Sequence, residues 1–158
     1  MIVMSNTENK QDFNLTRFLK AQDGYGSYEQ AVRELEQGCK RSHWIWYVFP
    51  QMRGLGFSYN SNFYGISCRE EAEAYLADKT LEERLRKVCT LLLRQAEAGK
   101  DMREVLGGID AKKVRSSLTL FDAVAPGGLY GECLDKCYGG KRDGRTLNML
   151  RRAADTLH

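Results

Sequence analysis

Tyr138-Gly139-Gly140-Lys141-Arg142-Asp143-Gly144-Arg145 sets flexible glycines among cationic donors immediately before a helical stretch. Open backbone N–H groups and planar guanidinium forks suit the holding of a phosphate, with Tyr138, Arg142 and Arg145 as its contacts. The run lacks the Gly-Lys-Ser/Thr ending of a Walker loop, and an ordinary charged turn explains it equally well. A second basic cluster, Lys112, Lys113, Arg115, Ser116 and Ser117, follows Asp110 at a helix start, where the dipole and free N–H groups attract anions. A solvated helix face is its plainer reading. In His43-Trp44-Ile45-Trp46, an extended chain would set Trp44 and Trp46 on one face, able to stack on a ring, with His43 and Gln51 as polar ends of a pocket. Dense core packing accounts for the same aromatics equally well.

Other chemistry finds less support. The histidines are His43 and the terminal His158, and the cysteines number five. Cys133 and Cys137 supply only two ligands, and their spacing is that of one helix face, so neither metal nor cofactor is expected. Cys39 stands beside Lys40 and Arg41 and four residues before His43, surroundings that could activate a nucleophile. With no orienting carboxylate near in sequence, a half-buried free thiol is the preferred reading.

These residues need a frame. A chain of 158 residues, 42% hydrophobic and 28% charged, has the size and composition of one globular domain. Its net charge of +3 is too small to argue for nucleic acid, and no apolar run reaches a membrane span. Met1 to Lys10 lacks the pattern of a signal peptide, which predicts a cytoplasmic protein. Residues 1–11 read as a disordered polar tail and residues 12–158 as a single helical domain. Phe13, Leu15, Phe18 and Leu19 make a first stripe at helical spacing. Ser27 with Gln30, Ser67 with Glu70, Thr80 with Glu83 and Asp101 with Glu104 are capping pairs, predicting helices over 27–37, 68–78 and 81–98 and a short turn at 101–107. Asp110 can cap a helix ending before Pro126, and a last pair follows from about Leu129 and after Asp143. Residues 43–49 are apolar on every face and stay open between strand and helix, and a loop is predicted from Arg53 to Ser67. The fold class is mainly α, a single compact domain of seven or so helices with at most a few short strands.

Read together, KRSHWIWYVFPQMRGLGFS (Lys40 to Ser58), Tyr64-Gly65-Ile66, EAEAYL (Glu71 to Leu76), SSLTLF (Ser116 to Phe121) and Tyr138 to Leu147 resemble the domain-of-unknown-function family eighteen-ten over about Asp12 to Leu150. The resemblance implies a mainly helical domain. Members often carry an automatic calpastatin-like label, but a disordered inhibitor would not have this composition. A remoter similarity is to the NADAR superfamily of N-glycosidases acting on ribosyl phosphate or ADP-ribose derivatives. It rests on Ser42-His43, on Asp135, Tyr138 and Gly139, and on the glycine-basic turn. Ser42 stands where that superfamily has Glu, and Tyr138 where it has Trp. The similarity implies an anionic nucleotide-like or ribosyl-phosphate ligand, with Asp135 stabilising an oxocarbenium-like centre and His43 moving or placing a proton. The ligand contacts would be Trp44, Trp46, Gln51, Lys112, Ser116, Ser117, Tyr138, Arg142 and Arg145. The rival expectation is a non-enzymatic protein-interaction module with a basic end for an acidic partner.

Overall fold

Apolar residues at helical spacing organise the computed structural model, which describes residues 12–157; the predicted tail over residues 1–11 lies outside the described residues. α1 (Thr16–Asp23) buries Phe18, and α2 (Ser27–Gln37) buries Ala31, Val32 and Leu35 before Gly38 stops it at φ 78°. α3 (Ile45–Val48) and α4 (Tyr59–Phe63) are barely more than single turns. Next come α5 (Arg69–Ala77), α6 (Lys79–Glu97), α7 (Met102–Leu106), α8 (Gly108–Val124), α9 (Leu129–Tyr138) and α10 (Gly144–Leu157). Among the described residues seven helices have eight residues or more, and the only β-like pairing is a parallel bridge between Met52 and Ile66. The chain is one compact helical domain. Residues 43–49, open on periodicity, hold the short α3, and the predicted loop from Arg53 to Ser67 is interrupted by α4.

Caps place the helices, though not always through the pairs the sequence offers. Asp101 and Glu104 form a full capping box. Ser27 instead lies inside α2, its hydroxyl 2.5 Å from that of Tyr47. α6 begins at Lys79 because Asp78, a better cap than Thr80, accepts from Leu81 N at 3.0 Å. At α5 the acceptor for Ser67 is Glu71 and not Glu70, with N and Oγ donating at 2.8 and 2.7 Å. α8 begins at Gly108, which puts Asp110 in its first turn and not at the cap.

α9 packs on both α6 and α8, while α2 and α5 also lean on α6 and α10 lies against α8. Leu85, Leu92, Leu118, Phe121, Trp44 and Tyr75 are wholly buried between them. Two acids are buried with them. Glu71 meets Arg17 at 2.7 Å with both side chains nearly inaccessible. Glu34 accepts from Ser42 Oγ at 2.5 Å, Arg41 N at 2.7 Å and Trp44 Nε1 at 3.0 Å. Burial opposes ionisation of Glu34, but hydrogen bonds from Ser42, Arg41 and Gln30 outweigh it and bring its carboxyl down to about 2. Among the described residues no helix is long and apolar enough to cross a membrane.

Candidate functional site

Three stretches far apart in sequence converge on one cavity of about 300 Å³. α3 contributes Trp46; the chain after Pro50 contributes Gln51, Leu55 and Gly56; α8 contributes Ile109, Lys112, Lys113, Arg115 and Ser116; and the entry to α10 contributes Asp143 and Arg145. Helical spacing explains the α8 share, since residues 109, 112, 113 and 116 lie on one face. The cavity thus gathers Trp46, Gln51, Lys112, Ser116 and Arg145 from the residues singled out by sequence.

Its electrostatics are lopsided. Four cations line it against one carboxylate, and that carboxylate is engaged: Asp143 Oδ2 accepts from Thr146 Oγ1 at 2.5 Å, Ser116 Oγ at 3.1 Å and Thr146 N at 3.2 Å. Lys113 is turned aside, 3.6 Å from Asp110 and 4.0 Å above the Trp46 ring. Asp110 in turn holds Lys40 at 2.7 Å. The remaining cations are unmatched. Arg115 Nε is buried with no hydrogen-bond partner, and among the described residues Arg145 and Lys112 have no ion pair. Gln51 also lines the cavity, its side-chain amide making no hydrogen bond to protein among those residues but not sealed from solvent as Arg115 Nε is. A buried donor left unpaired costs roughly 1–3 kcal/mol, which an incoming acceptor recovers.

The other predicted residues lie elsewhere. Trp44 is wholly buried, its indole N–H given to Glu34, so the two tryptophans do not share a face. α3 turns them apart, where the stacked arrangement needed an extended chain. Ser117 is buried with its hydroxyl unpaired and does not line the cavity. Tyr138 donates to Ala111 O at 2.7 Å, and burial pushes its hydroxyl well above the usual phenol range. Arg142 is held by Asp135 at 3.1 Å and Asp122 at 3.4 Å, away from Arg145. Asp135 is exposed in that pair, and His43 is exposed on the loop before α3; neither lines the cavity. Cys39, expected half-buried, is exposed, because Gly38 turns the chain outward after α2. Among the described residues no cluster of three or more metal-ligating groups occurs.

Sequence reasoning missed Arg115 as a principal donor and Asp143 as the cavity's acid. Both lie inside motifs it had noticed, but which face they take depends on packing. The Ile66 N to Gln51 O bond at 2.9 Å, which carries Gln51 to the cavity wall, has no local signal at all.

Residues 12–150 match the model of a family described as "Protein of unknown function (DUF1810)". The crystal structure of the conserved hypothetical protein Rv1873 from Mycobacterium tuberculosis is similar to this chain, with 42% identity and a TM-score of 0.80 over 88% of this chain and 97% of that one. No curated protein matches significantly.

Proposed function

The chain belongs to the DUF1810 family of proteins of unknown function, which supplies no activity, and from the cavity itself we propose that it binds a small phosphate-bearing ligand, a nucleotide or ribosyl phosphate. The observation that carries this is the set of donors without a protein acceptor around one cavity: the buried Arg115 Nε, with the Gln51 amide and the exposed Arg145 and Lys112. A phosphate offers several acceptor oxygens to such a set, and Arg suits them geometrically. Trp46 lines the same cavity, with the Lys113 ammonium 4.0 Å over its ring. The NADAR-like reading would add N-glycosidic cleavage by Asp135 and His43. Both stand outside the cavity, so binding without turnover is the activity the geometry favours.

Thermal unfolding in the presence of ADP-ribose, AMP, ribose 5-phosphate and phosphate-free ribose tests it. The three phosphorylated compounds should raise the melting temperature by mass action and ribose should not. Arg145→Ala, an exposed replacement, should weaken that response by about 1–3 kcal/mol of binding free energy. No shift with any phosphorylated compound, or an unchanged response in Arg145→Ala, refutes the reading.

A further inference from the structure

Away from the basic cavity, three adjoining depressions of about 520, 380 and 540 Å³ run beside α1. The first two share Asn14, Arg17 and Phe63, and the last two share Lys20, Ala21 and Tyr64, so they make one groove. A ladder of rings lines it. Tyr59 stacks on Phe63 with centroids 5.6 Å apart and 10° between planes, Phe63 meets Tyr64 edge-on at 4.9 Å, and Tyr64 meets Tyr47 at 5.3 Å. Tyr59 is 75% exposed, which leaves a broad ring at the open end of the ladder. At the far end Tyr25 is fully exposed and sits at φ 55° and ψ 27°. That left-handed backbone is uncommon for a residue with a β-carbon, and a ring held there fills no core.

Charge along the groove is one-sided. Among the described residues no carboxylate lines it, whereas Lys20 and Arg53 do. Arg53 donates to the carbonyls of Asn62 and Gly65 at 3.1 and 3.3 Å, and Lys20 has no ion pair among those residues. Arg17 is neutralised by Glu71. Of the neighbouring acids, Asp23 pairs with Arg84 at 2.9 Å, while Asp12 accepts only from Asn14 N and Glu29 has no ion pair among the described residues; none of the three lines the groove. The net charge of +3 says little, because a polyanion meets the local excess and not the sum.

Open aromatic faces interleaved with unneutralised cations are the two ingredients of sequence-tolerant binding to single strands. We propose that this groove binds single-stranded nucleic acid, with Tyr59 and Tyr25 stacking on bases and Lys20 and Arg53 meeting phosphates. A duplex hides its base faces, and an acidic peptide would satisfy the cations while leaving the rings bare. The groove shares no lining residue with the basic cavity, so the two assignments stand or fall separately.

Fluorescence anisotropy of the full chain with a labelled oligouridylate of about 12 nucleotides tests the proposal. At low salt a Kd on the order of 10 μM is expected, weakening steeply with added salt. The same strand annealed to oligoadenylate should bind at least about tenfold more weakly. Tyr59→Ala and, separately, Tyr25→Ala should each weaken binding of the single strand about tenfold with the melting temperature unchanged, since both rings are exposed. Lys20→Ala should reduce the slope of log Kd against log salt by about 1, and Arg145→Ala should leave binding as it was. The proposal is overturned by the absence of binding up to roughly 100 μM protein, by equal affinity for the duplex or for oligoglutamate, by parent-like affinity in both tyrosine variants, or by loss of binding in Arg145→Ala.

Discussion

A β-carbon added at Gly65 would lie 2.6 Å from Arg53 Cα and 2.7 Å from the Ser61 carbonyl oxygen. Neither is the tip of a flexible side chain, so the backbone itself must give way. Gly65→Ala is therefore expected to destabilise the fold by about 1–3 kcal/mol, read as a lower urea midpoint with the slope unchanged. Glu34 poses the complementary question of a charge whose partners are all donors. Its carboxyl lies below its ordinary value in the folded chain, so the stability it lends is complete above pH about 4.5. That contribution is withdrawn as the pH falls toward about 2. Urea midpoints measured from pH 7 down to about 2.5 should fall across that window, and Glu34→Gln should lower the neutral midpoint and flatten this part of the profile, the gap at pH 7 being on the order of 2–3 kcal/mol. A Glu34→Gln curve parallel to the parent across the whole range would show that the carboxylate is not the titrating group.

Between elements, Arg17 is a knot. Its guanidinium donates to the carbonyls of Phe63 at 2.7 Å, Phe13 at 2.6 Å, Asn14 at 3.0 Å and Gly65 at 3.1 Å, and to Glu71 at 2.7 Å. It thereby fastens α1 to the end of α4 and the start of α5. Glu71→Gln leaves that cation buried without a counter-charge and should cost about 3–5 kcal/mol in urea unfolding. Arg17→Lys should also destabilise, since a compact ammonium with three donors cannot reproduce a five-way fork; parent-like stability in either variant would contradict the assignment. Elements of this kind mark where sequence reading stops. Asp101 with Glu104, Gly38 after Leu35 and the stripe Leu81, Leu85, Val88 and Leu92 announce helices because their partners lie within a turn or two. Arg17 finds its acid 54 residues on, and Glu34 is buried by a loop that has no periodicity. The basic cavity was half legible, as clusters of the right residue types. Its assembly was not, because Gln51, Arg115 and Arg145 meet only through packing.

For the molecule as a whole, the chain from Gln51 to Ile66 is the feature with the widest reach. The Met52–Ile66 bridge and the Arg53 N to Ile66 O bond at 2.9 Å close it at its base, and Gly65 lets the two ends pass almost in contact. One flank, through Gln51, Leu55 and Gly56, is a wall of the basic cavity; the other, through Arg53, Tyr59, Asn62 and Phe63, is a wall of the aromatic groove. Between the two proposed sites this segment is the one wall held in common, so an effect of one occupant on the other would have to pass through it. Any factor by which one occupant changed the other's dissociation constant would be returned in full, so a coupling measured from one side would fix its size on the other.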